Sequence, residues 1–86
     1  MTLTLRQFQD IIRQAYFHRD SARGLDRTFM WFIEEVGELA RAIKSGNRDN
    51  IEEEIADVAA WLVSLANLLE IDFEEAVLKK YKNPPM

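Results

Sequence analysis

Two pairs of acids, Glu35 with Glu38 and Glu54 with Asp57, stand three residues apart within the runs FIEEVGELARAI and IEEEIADVAAWL. At that spacing the two members of a pair are neighbours on one helical face, with Cβ atoms roughly 5–6 Å apart, so each pair can grip one ion jointly. Among basic residues three or four positions away on the same helix, only Arg41, which follows Glu38, is placed to neutralise any of the four. Like charges gathered this way are unfavourable unless a cation or a proton intervenes. Hard divalent ions prefer carboxylate and water oxygens. The chemistry indicated is a hydrated divalent-metal site for Mg²⁺, with Mn²⁺ as the close substitute.

The rest of the composition narrows the donor set to oxygen. The chain has no cysteine and a single histidine, His18, which excludes thiolate zinc sites, disulfide frameworks and imidazole-rich centres. The net charge of −4, with basic residues scattered rather than striped, gives little pull toward nucleic acid. The same charge would repel a polyanion such as a nucleoside triphosphate, so any anionic substrate would need bound cations as bridges. Apolar residues make up 48% of the 86 and charged ones 30%, as in a folded soluble protein. No apolar run approaches the ~18–20 residues of a membrane span. The opening MTLTLRQFQDII lacks the features of a secretory signal, and a cytoplasmic location is the default expectation.

Positioning four acids falls to helices, because spacing near 3.6 residues recurs in four segments and no strand alternation competes with it. The expectation is one all-α domain over residues 1–86, a four-helix antiparallel bundle-like subunit. Helix one is capped by Thr4 with Gln7 answering, buries Leu5, Phe8, Ile11, Ile12 and Ala15, and fades near Tyr16 or Phe17. The polar stretch HRDSARGLD, holding His18, Arg19 and Arg23, reads as a loop, with Asp26 capping helix two. Helix two runs to about Lys44 and stops at Gly46, with a core stripe of Phe29, Phe32, Ile33, Val36, Leu39, Ala40 and Ile43. Helix three opens at Asn50 with Glu53 and runs to about Leu69 over Ile51, Ile55, Val58, Leu62, Leu65 and Leu69. Asp72 with Glu75 opens helix four, which buries Phe73, Ala76, Val77 and Tyr81 and ends before Pro84.

On these helices Glu35 lies about 100° round from Val36, beside the core stripe, whereas Glu54 lies only about 40° from Val58 and is nearly a core position. Desolvating an unpaired carboxylate there is costly, and a bound cation offsets it. Each acid pair taken alone reads as a solvated face; it is the two together on adjacent helices that point to a metal site. Glu34 flanks Glu38 and suits either solvent or a supporting role, while Glu52 and Glu53 fit helix-start electrostatics. Trp31 and Trp61 share the acid-bearing stripes and are candidates for packing, for a subunit interface or for contact with substrate.

The run EEVGE, Glu34 to Glu38, followed after fifteen residues by EIAD, Glu54 to Asp57, resembles the E-E-x-x-E, spacer, E-x-x-D signature of MazG-like nucleotide pyrophosphohydrolases. The similarity continues through DVAAWLVSLANLLEIDFEEAVLKKY, residues 57 to 81, and departs at Val77, where the family often has asparagine. The resemblance implies Mg²⁺ held by Glu35, Glu38, Glu54 and Asp57, and hydrolysis of a nucleoside triphosphate between its α and β phosphates. Glu38 or Glu34 would then orient or deprotonate the attacking water. Lys79, Lys80 and Lys82, with Arg19 and Arg23 behind them, are the candidate phosphate donors. Relatives of this kind assemble, so a homodimer or homotetramer is implied. Phosphoribosyl-ATP pyrophosphohydrolase and a non-catalytic helical module that binds nucleotides or protein remain as alternatives.

Overall fold

A computed structural model describes residues 2–82, which form four α-helices and no strand. They are α1 (Leu5–Arg23), α2 (Leu25–Ser45), α3 (Arg48–Leu68) and α4 (Phe73–Tyr81). Thr4 caps α1 as its sequence indicates, its Oγ1 accepting from Gln7 N at 3.0 Å while Gln7 Oε1 accepts from Thr4 N at 2.8 Å. Asp72 caps α4, accepting from Glu75 N at 2.9 Å. Pro84, expected to stop α4, lies outside the described residues; the helix ends at Tyr81. No helix among the described residues is long and apolar enough to cross a membrane.

The first helix departs most from expectation. It does not fade at Tyr16 or Phe17 but carries the stretch HRDSAR as two further turns, ending only at Arg23. Local pairs hold those turns: Arg13 stacks on Phe17 at 4.1 Å, Arg19 on Tyr16 at 5.7 Å, and Arg23 Nη1 donates to Asp20 Oδ1 at 2.9 Å. Gly24, at φ 92°, then breaks the helix in a conformation that side chains resist. It also serves as the N-cap of α2, with Thr28 N donating to its carbonyl at 3.1 Å. Asp26 is therefore inside the first turn, where it favours the helix dipole, and is not the cap. At the next junction the cap is Asn47, whose Oδ1 accepts from Asn50 N at 3.1 Å, so α3 starts a turn earlier than Asn50.

Gly46, in the left-handed region at φ 76°, ends α2. With only Gly46 and Asn47 between them, α2 and α3 pack side by side and antiparallel, and α1 lies mainly against α3. The inner face of α2 is Thr28, Phe32, Glu35, Leu39 and Ala42. The expected stripe of α2 is rotated outward, with Phe29 and Ile33 each 50% and Ile43 59% exposed. Likewise Ile11, Ile55 and Leu69 are more exposed than buried, as is Tyr81, and Ala15 and Ala76 also face out. The buried segment of α3 runs from Val63 to Asn67. These helices carry wider apolar arcs than one neighbour can cover, so periodicity marks the arc without marking the side that meets its neighbour.

A polar latch closes the other end. Gln9 is buried on α1 and its Nε2 donates to Asn67 Oδ1 at 3.0 Å and to Ile71 O at 2.8 Å. Its Oε1 accepts from Phe73 N at 2.8 Å, and Asn67 Nδ2 donates to Gln9 O at 3.3 Å. The α3–α4 turn is thereby hydrogen-bonded to α1, with every polar atom of the Gln9 side chain engaged. Arg6 adds ion pairs to Asp72 at 3.0 Å and Glu74 at 3.1 Å.

Candidate metal centre and adjoining aromatic cavity

Antiparallel packing brings Glu35 on α2 against Glu54 and Asp57 on α3. One carboxylate oxygen from each lies within 4.8 Å of the other two. Glu35 and Glu54 are half-buried and Asp57 is exposed at the mouth. Glu54 Oε2 is buried without a hydrogen-bond partner among the described residues. Burial, followed by the negative charges of Glu54 and Asp57, pushes the Glu35 carboxyl above its ordinary pKa. Three converging carboxylates, one with an orphaned oxygen and one reluctant to ionise, are what a divalent cation would relieve.

The depression around this trio is lined by α2 and α3 alone, through Glu34, Glu35, Gly37, Glu38, Arg41, Glu54 and Asp57. Glu34 and Glu38 are exposed on its rim. Glu38 is ion-paired to Arg41 and stands apart from the three oxygens that converge. The sequence thus brings three of the four proposed ligands together, and the fourth lies beside them.

Asp57 belongs to two depressions. The second is a cavity of about 220 Å³ into which α1 contributes Tyr16, Arg19, Asp20 and Arg23, and α2 and α3 contribute Trp31, Trp61 and Ser64. The two indoles meet edge to face, 5.7 Å between ring centroids at 65°. The Arg23 guanidinium lies 4.3 Å from the Trp31 ring and 5.2 Å from that of Trp61. Asp20 anchors it at 2.9 Å, with Thr28 Oγ1 at 3.4 Å. Sequence reasoning did not find Asp20, Tyr16 or Ser64 as site residues, because the turns holding Asp20 read as a loop; the Asp20 and Arg23 spacing of three was the available signal.

Lys79 and Lys80 are exposed on α4, which packs on α1, and Lys82 follows them at its C-cap. None of the three lines either depression. His18 is exposed on α1.

Among curated proteins no significant match to this chain is found. A family model described as the MazG nucleotide pyrophosphohydrolase domain matches residues 23–83, which include all four acids and both tryptophans. The chain belongs to the MazG family of nucleotide pyrophosphohydrolases.

Proposed function

We propose that the protein hydrolyses nucleoside triphosphates in a Mg²⁺-dependent reaction, cleaving between the α and β phosphates to give a monophosphate and pyrophosphate. The observation that carries this reading is the convergence of Glu35, Glu54 and Asp57 with a buried oxygen on Glu54 that has no partner among the described residues. In this reading those residues, with Glu38 beside them, hold Mg²⁺, for which Mn²⁺ can substitute. A divalent cation there supplies positive charge against the polyphosphate and acidifies water. Asp57 borders both depressions, so the phosphates are directed to the acids and the base to the tryptophans. Glu38, steadied by Arg41, or its neighbour Glu34 orients and deprotonates the attacking water from the rim.

Arg19, Arg23 and Arg41 are the cations bordering the two depressions. Lys79, Lys80 and Lys82 reach phosphate in this reading from a neighbouring subunit. The protein assembles as a homodimer or homotetramer, supported by the exposed apolar arcs of Phe29, Ile33 and Ile43 on α2 and of Ile55 and Leu62 on α3, with Leu69 at its C-cap. A cytoplasmic role in clearing aberrant or surplus nucleotides follows from such chemistry.

Incubating the protein with a panel of ribo- and deoxyribonucleoside triphosphates and Mg²⁺, while following monophosphate and pyrophosphate together, tests the proposal. Equal release of both supports it. Orthophosphate with a diphosphate, or no turnover across the panel, counts against it.

A further inference from the structure

Asp20 is a buried acid that the hydrolytic chemistry does not use. It is 3% exposed, in the wall of the aromatic cavity. Its Oδ1 accepts from Arg23 Nη1 at 2.9 Å, whereas its Oδ2 is buried with no hydrogen-bond partner among the described residues. A guanidinium can satisfy both oxygens of a carboxylate with a two-pronged grip. Here Nη1 also reaches Thr28 Oγ1 at 3.4 Å, and the second oxygen is left over. An unsatisfied acceptor beside two indoles is the arrangement of a site that fixes a flat heteroaromatic ligand by a few placed polar groups. Asp20 precedes the stretch matched by the family model, residues 23–83, so family membership says nothing about it.

We infer that Asp20 reads the nucleobase, its Oδ2 accepting from an exocyclic amine at position 4 of a pyrimidine or position 6 of a purine. This rests on the nucleotide reading above. With the phosphates at the acids, the sugar passes Asp57 and the base enters the cavity with that position leading. The carboxylate depression contains no residue of α1, so the α1 wall carrying Asp20 is the one farther from the phosphates. Cytosine and adenine offer a donor at the leading position. Uracil and hypoxanthine offer a carbonyl, which sets acceptor against acceptor. Asp20 thereby selects amino bases, and Arg23 both anchors it and stacks on the indoles.

Both tryptophans of the chain line the cavity, so intrinsic fluorescence reports its occupancy. Titrating the Mg²⁺-loaded protein with the monophosphates of cytidine, uridine, adenosine and inosine compares partners that differ at this group and at the ring nitrogen beside it, and that cannot be cleaved between α and β. The expected result is that the amino member of each pair binds about 10-fold to 100-fold tighter than its keto partner. Asp20→Asn, similar in shape, keeps its oxygen toward Arg23 and turns an amide donor to the base, so it should abolish or reverse the preference for the amino member of each pair. Equal or reversed affinities in the unsubstituted protein, or no quenching by any of the four, overturn the inference without recourse to a variant. So does an Asp20→Asn protein that binds all four more weakly with the ratios kept, since that is a structural role. Hydrolysis without base preference would leave the proposed function standing and remove only this selectivity. Amino-base preference without hydrolysis would do the reverse.

Discussion

Trp31 and Trp61 meet edge to face with 5.7 Å between their ring centroids, and each stands one helical turn from an acid of the converging trio. Trp31 precedes Glu35 by four residues and Trp61 follows Asp57 by four, so antiparallel packing of α2 on α3 places the aromatic pair and the acids along one seam. The same contact thus builds both halves of the proposed nucleotide site.

Shortening an indole should act on binding. Trp31→Ala removes a stacking surface worth about 1–3 kcal/mol per base. KM for the preferred triphosphate should rise by roughly 10-fold to 100-fold, with kcat changed far less. Steady-state kinetics measure the split, and a fall in kcat at constant KM would assign Trp31 to the chemistry.

Glu35 should trade stability for function. Its folded pKa is raised by burial and by the charges of Glu54 and Asp57, so without a cation the folded state holds this proton more tightly than the unfolded chain. Stability from this group is present below the ordinary carboxylate range and falls as pH rises through the raised folded value. Metal-free Glu35→Gln should therefore melt above the unsubstituted protein at neutral pH and approach it at acid pH, while hydrolysis is lost. Thermal melts in a chelator at the two pH values give the comparison.

Gln9 carries the hydrogen bonds that tie the α3–α4 turn to α1. Gln9→Leu leaves Asn67 Oδ1 and the Ile71 carbonyl without their donor and removes the acceptor of Phe73 N. At about 1–3 kcal/mol for a buried group left unsatisfied, urea unfolding followed by circular dichroism should show a loss of about 2–4 kcal/mol.

The exposed apolar arc of α2 gives the assembly its test. Ile33→Glu places a charge on that arc without touching the acids of the inner face. Light scattering coupled to size exclusion should show the unsubstituted chain as a dimer or larger and the variant shifted to monomer. A monomer in both cases would contradict the proposed oligomer.

The acid trio was legible in the sequence because a helix fixes what lies three residues away, and because only Gly46 and Asn47 separate α2 from α3. The inner face of α2 was not. Its residues Phe32 and Phe29, or Leu39 and Ile43, belong to arcs that are equally apolar, and only the packing of α3 decides between them. Asp20 was hidden by the polar composition of HRDSAR, whose helical form rests on ion pairing and arginine stacking that propensity does not register. The Gln9 latch joins residues 58 and more apart and has no local signature.

The central claim is that carboxylates of α2 and α3 together hold a divalent ion, and Mn²⁺ titration followed by electron paramagnetic resonance measures this without substrate. The unsubstituted protein should bind Mn²⁺ saturably, Mg²⁺ should compete for the same site, and Glu54→Gln and Asp57→Asn should each weaken binding by at least about tenfold while keeping the helical circular dichroism. Undiminished Mn²⁺ binding in both variants, or none in the unsubstituted protein, would contradict the account.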